Sequence, residues 1–123
     1  MAVKAYTATL TGANTDLTGV NTANVATLIT GANQGTIIDE ITINAVETTT
    51  AGYVRMWIDN GTGIKRLHTQ IPVSAVTAPP TGTTPSWNTV IRPLNLKLAH
   101  NQLLMFTTTT GDDFHLTASV TEL

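Results

Sequence analysis

Apolar and polar residues alternate with a period of two along most of this chain, and β-branched residues fill many of the alternating positions. No stripe at i, i+3, i+4, i+7 persists for three helical turns. Such a pattern folds by pairing pleated strands and burying every second side chain. The predicted strands are Val3–Leu10, Asn24–Thr30, Thr36–Val46, Gly52–Asn60, Ile64–Val73, Trp87–Leu98 with a break near Pro93, Leu103–Thr109 and Phe114–Glu122. About eight short strands separated by Gly, Asn, Asp and Pro signals predict an all-β fold, an antiparallel two-sheet sandwich of jelly-roll type. The 123 residues form one domain, 1–123, large enough for a core without disulfide or metal staples.

Gly31-Ala32-Asn33-Gln34-Gly35 reads as a turn, and Asn60-Gly61-Thr62-Gly63 is the clearest hairpin signal. Ser74–Ser86, with Pro79, Pro80 and Pro85, reads as an exposed loop long enough to serve as a contact element. Residues 1–23 form a second candidate contact segment, irregular from Leu10 to Ala23. Parity turns Val54, Met56 and Ile58 inward, with Leu67 and Ile71, and with Phe114, Leu116, Ala118 and Val120. A four-residue loop at Asn60–Gly63 then sets Trp57 beside Arg66 and Arg55 beside His68 on the outward face, a cation-π arrangement. Asp39 shares its parity with Ile37, Ile41 and Ile43, so either the strand carries a bulge there or Asp39 is paired with a cation such as Arg92.

Charged residues make up 11% of the chain, against roughly 25% in an ordinary soluble domain. Thr, about a fifth of the sequence, covers much of the surface instead. A surface of roughly 6,300 Å² then carries so few charges that an interface of about 800 Å² per partner buries only one or two of them. This composition suits a subunit of an assembly. Lys plus Arg is 6 against Asp plus Glu 8, a net charge of -2 with no basic cluster, which argues against a phosphate-backbone binder. No apolar run approaches a membrane span, and Met1-Ala2-Val3-Lys4-Ala5 lacks a signal-peptide core, so the chain is expected to be soluble and made in the cytoplasm.

The residues that carry chemistry are scattered. With Cys at 0 there is no thiol nucleophile or Cys-based zinc site. Ser74, Ser86 and Ser119 lie outside any Gly-x-Ser-x-Gly elbow. His68, His100 and His115 have no i, i+4 partner. Asp39 and Glu40 point to opposite faces of a strand, and Asp112-Asp113 follows Gly111 in a turn without EF-hand spacing. Gly61-Thr62-Gly63-Ile64-Lys65 lacks the spacing and helix of a phosphate loop. No cofactor, metal site or enzymatic activity is expected.

The order of segments carries more information. Gly31–Ile43 is followed by Thr48-Thr49-Thr50-Ala51-Gly52-Tyr53-Val54-Arg55-Met56-Trp57-Ile58-Asp59-Asn60-Gly61, then Ile91-Arg92-Pro93-Leu94-Asn95-Leu96-Lys97-Leu98, then Phe114-His115-Leu116-Thr117-Ala118. From about Ala23 onward this resembles the small head decoration, or cement, proteins of tailed bacteriophages. A "Val-Arg-x-x-Ile" strand and a terminal "Phe-x-x-x-Ala" strand recur there. The resemblance implies a jelly-roll homotrimer on the outer capsid surface, bound to the major capsid protein and bracing the shell. The chain departs from that pattern at Ala99-His100-Asn101, where a Gly-containing turn is expected. Candidate interface residues are Arg55, Trp57, Arg66, Pro79, Pro80 and Trp87. The alternative is a receptor- or glycan-binding spike module, with Trp57 and Trp87 as sugar-stacking rings.

Overall fold

A computed structural model describes residues 2–78, 85–92 and 95–123. The strands are β1 (Ala2–Leu10), β2 (Ala26–Thr30), β3 (Thr36–Ala45), β4 (Gly52–Asp59), β5 (Lys65–Val73), β6 (Trp87–Ile91), β7 (Leu96–Leu98), β8 (Leu103–Thr108) and β9 (Phe114–Glu122), with no helix among the described residues. One sheet runs β1-β9-β3-β6, with β7 also on β3, and the other runs β2-β8-β4-β5. Every ladder between these strands is antiparallel. The β4/β5 hairpin, the β3 pairing with β6 and β7, the β2/β8 pair and the β1/β9 pair are successive sections of one long hairpin rolled into two layers. That is a jelly-roll sandwich. β6 and β7 occupy a single strand position, so eight positions hold nine strands; Pro93, near which the break was expected, lies outside the described residues.

The core is where the inner faces meet. Leu10, Ile38, Ile41, Ile43, Met56, Leu104, Phe106 and Phe114 are each 0% exposed, and Trp87 closes one side edge-on to Phe114 at 5.9 Å. Strand β3 reaches this arrangement through a bulge at Asp39. Ile38 pairs with Val120 and Glu40 with Ser119, so the extra residue restores Ile41 and Ile43 to the inward face. Asp39 accepts a hydrogen bond from Thr121 at 3.2 Å, and Arg92 pairs with Glu40, 3.6 Å away. At Ala99-His100-Asn101 the positive φ of 65° falls on Asn101, a residue that tolerates the left-handed region, so the turn closes without Gly.

The β4–β5 register differs from expectation twice. The hairpin loop is one residue longer, Asn60–Ile64, because Asp59 pairs with Lys65 and its carboxylate caps the amides of Gly61 and Thr62 at 2.7 and 3.0 Å. A bulge at His68 then adds a second shift. Trp57 therefore lies opposite Leu67 and Arg55 opposite Gln70, not opposite Arg66 and His68. Leu67 turns outward, 44% exposed, while Ile71 stays half-buried against the core.

Strand β1 is tied to β9 at one end by a carboxylate shared between two donors. Glu122 takes an ion pair from Lys4 at 2.8 Å and a hydrogen bond from the Tyr6 hydroxyl. The Lys4 and Tyr6 hydrogen bonds hold the Glu122 carboxyl below its ordinary pKa, and the bond to Glu122 raises that of Tyr6. The Glu122 contribution to stability is fully present above the ordinary value of 4.5 and is lost as pH falls through the lower folded-state pKa. The Tyr6 contribution is full below 10.0 and is lost as pH rises through its higher folded-state pKa. Glu122→Gln should flatten both limbs of a melting-temperature profile against pH. Phe106→Ala, in the centre of the core, should lower unfolding free energy by about 3–5 kcal/mol in urea titrations.

Candidate interaction surfaces

The two outer sheet faces have opposite fates. On the β2-β8-β4-β5 sheet, β4 turns Arg55, Trp57 and Asp59 outward, yet these are only 8%, 1% and 3% exposed. The cover is the segment from Thr11 to Val25, which crosses this face as a strap. Ala13 bridges to Thr108, Arg55 donates to the Thr15 carbonyl at 3.2 Å, the Lys65 amide donates to the Gly19 carbonyl, and Lys65 Nζ donates to the Asn21 carbonyl at 2.7 Å. Lys65 is itself 3% exposed, and its ammonium sits 4.7 Å from the centroid of the Trp57 ring. The Trp57 indole N–H donates to Thr107 Oγ1 at 2.8 Å.

The strap is built to hold one shape. Buried Asn14 donates to the carbonyls of Asn21 and Ala23 and accepts from the Asp16 amide. The Asp16 carboxylate gathers the Thr18 hydroxyl and the amides of Thr18, Gly19 and Asn21, bonds that hold its pKa well below the usual carboxylate range. Gly19 has φ +87°, and a Cβ there would lie 1.9 Å from the Lys65 carbonyl oxygen, so only Gly lets the strap approach this closely.

The outer face of the β1-β9-β3-β6 sheet has no such cover among the described residues. Registers align its side chains in four rows: Val3, Thr121, Ile37, Lys97; Ala5, Ser119, Glu40; Thr7, Thr117, Thr42, Val90; and Thr9, His115, Asn44, Asn88. Its charged groups are Asp39, Glu40, Arg92 and Lys97, two of each sign, with Arg92 against Glu40. The centre is Thr and Ser.

These positions redraw the expected interface. Trp57 is covered by its own chain and its cation is Lys65, because the longer loop sets Arg66 opposite Ile58. Arg55 is buried on Gln70 and Thr15, Arg66 is exposed, and Trp87 is half-buried against Phe114. Trp57, 1% exposed, presents no free ring face of the kind sugar stacking needs. Pro79 and Pro80 lie outside the described residues. Residues 2–10 form strand β1, and the irregular stretch that follows it crosses the sheet as the strap.

The residues considered for chemistry do not converge. His68, His100 and His115 are exposed. Ser86 Oγ donates to the Ala45 carbonyl at 3.0 Å, and Ser119 stands exposed on β9. Asp112 binds Thr50 and Thr110, and Asp113 binds Thr11, which knits neighbouring loops at one end of the sandwich. No group of three His, Asp or Glu able to hold a metal occurs among the described residues. A cleft of about 140 Å³ beside the strap is lined by Thr22, Val25, Thr27, Asp59, Lys65 and Met105.

Parity reasoning missed Asn14 inside the strap, Lys65 beneath it and Asp59 at the hairpin loop. One signal was present: Asn14-Thr15-Asp16 followed by Thr18-Gly19 is rich in residues whose side chains bond nearby backbone, the mark of an ordered loop. Asn14→Ala should lower unfolding free energy by about 1–3 kcal/mol and accelerate amide exchange at Gly19 and Asn21, measured by urea titration and hydrogen exchange.

No protein-family model and no curated protein matches this chain. Among solved structures, the crystal structure of the Drosophila NLP core, described for its pentamer formation and histone binding, aligns over 96% of this chain and 98% of its own with 18% identity and a TM-score of 0.43. A likeness this loose carries no argument about what the present chain binds.

Proposed function

We propose that this chain is a structural virion protein, a decoration or cement protein that binds the outer surface of a phage head as a homotrimer and stabilises the shell. The observation that carries the reading furthest is the Thr-rich outer face of the β1-β9-β3-β6 sheet, over which no described residue folds. It presents a rigid pleated surface with charges balanced in sign, so docking against the major capsid protein desolvates few ions. The sequence resemblance to decoration proteins points the same way, and the jelly-roll fold is compatible with it. The receptor-binding alternative has less support, since Trp57 is covered and Trp87 is half-buried.

The mechanism is linkage. A protein that binds the mature lattice and not its alternatives stabilises that lattice by about 2.7 kcal/mol per site when free protein is at 100 times Kd. No active site or cofactor is required. The protein is made in the host cytoplasm and resides on the outside of the capsid.

Purified protein should co-sediment saturably with mature shells of its parent phage that lack it, raise their resistance to heat, and lose little attachment as salt increases. Thr117→Arg, at the centre of the face, should weaken attachment about tenfold or more, a loss near 1.4 kcal/mol, while leaving the melting temperature of the free protein in place. Absence of attachment at micromolar protein would overturn the reading.

A further inference from the structure

A β-sandwich of this topology has four edge strands, and each edge is a row of backbone groups able to pair with another chain. Three of the four are blunted. β2 is 5 residues long and carries a bulge between Thr27 and Ile29. β5 carries the bulge at His68, exposed Arg66 and, at Pro72, a residue without an amide hydrogen. β6 has 5 residues and runs directly into Arg92 and Pro93.

β1 has neither a bulge nor a proline. Its 9 residues pair with β9 in one unbroken register from Ala2–Glu122 to Leu10–Phe114. It contains no Pro, its one charge, Lys4, is matched by Glu122, and Val3 at 78% exposure is the most exposed large hydrophobic residue described. Among the described residues no backbone group outside β9 bonds to it. Leaving one long edge open while blunting the rest is the pattern of an edge used for pairing.

We propose that β1 pairs antiparallel with β1 of a second copy of this chain about a two-fold axis. An isologous contact needs only one patch, and among the described residues β1 is the long edge without a bulge or a proline that the molecule offers to itself. A register centred on Tyr6 sets Val3 opposite Thr9 of the second copy, Ala5 opposite Thr7 and Lys4 opposite Ala8. The two Lys4 residues then lie about 14 Å apart along the strands, beyond the roughly 8 Å Debye length at physiological salt. The pairing joins two four-strand paths into one continuous sheet. It does not depend on the virion reading; within that reading, two-fold β1 contacts link neighbouring trimers into a net.

The test uses the purified full chain, without shells. Sedimentation equilibrium over micromolar to millimolar protein should show the mass doubling with concentration. Hydrogen exchange should slow, with concentration, at those β1 amides that point away from β9, and not along β5 or β6. Thr7→Pro and Ala8→Pro remove adjacent amides that face opposite ways. One should lose a β9 ladder bond and melt lower; the other should keep its melting temperature and lose the doubling. Exchange independent of concentration, or doubling retained in both variants, overturns the proposal. Protection of β1 that arises only when shells are added also overturns self-pairing and assigns the edge to a foreign strand. None of these results bears on whether the protein attaches to shells.

Discussion

Two buried cations closed by backbone carbonyls organise this molecule. Arg55 and Lys65 stand on the outer face of the second sheet, a position that parity assigns to solvent, yet the chain covers both. A buried charge without partners costs several kcal/mol. The strap from Thr11 to Val25 removes that penalty by delivering the carbonyls of Thr15 and Asn21, and charge-assisted bonds of this kind contribute about 1.5–3 kcal/mol each. Trp57 is sealed between them. One sheet face is thereby closed by the chain's own backbone, whereas no described residue covers the outer face of the other sheet.

That division gives the low charge content a structural meaning. Of the six Lys and Arg residues, two are consumed beneath the strap, Lys4 is matched by Glu122, and Arg92 is matched by Glu40. Hydration of the surface therefore rests on Thr and Asn hydroxyls and amides more than on charge. Such a surface is readily desolvated on docking, because a hydroxyl gives up less hydration than an ion and finds new hydrogen bonds easily. Flat, uncharged sheet edges carry an aggregation hazard, and the bulges and prolines at β2, β5 and β6 are where the sequence counters it.

Much of the fold was legible in the sequence because strand existence follows from alternation and turn chemistry. All eight expected strand positions are present, with ends displaced by at most two residues. Register was less legible. The hairpin loop holds one residue more than its Asn-Gly signal marks, which turns Leu67 outward; the bulge at His68, without any compositional mark, returns Ile71 to the inner face, and Asp39 left two explanations open. Errors of register propagate to every cross-strand pair beyond them. That is why Trp57 was matched to Arg66 when its cation is Lys65. The strap shows a second limit: its local hydrogen-bonding residues are visible in the sequence, but the sheet face it crosses is fixed by contacts between residues 40 or more positions apart. The surface face of β1, β9, β3 and β6 was readable strand by strand and became a continuous patch only once the strand order was known.

Closure of the strap over Trp57 and Lys65 shuts one face of the sandwich. Its most direct test is the reactivity of the three lysines, Lys4, Lys65 and Lys97, toward an amine-acylating reagent in the folded protein, followed by peptide mass spectrometry. Lys4 and Lys97 should be modified while Lys65 remains unmodified until the protein unfolds. Modification of Lys65 as fast as Lys97 under native conditions would mean that the strap does not close over Trp57, and would contradict the account.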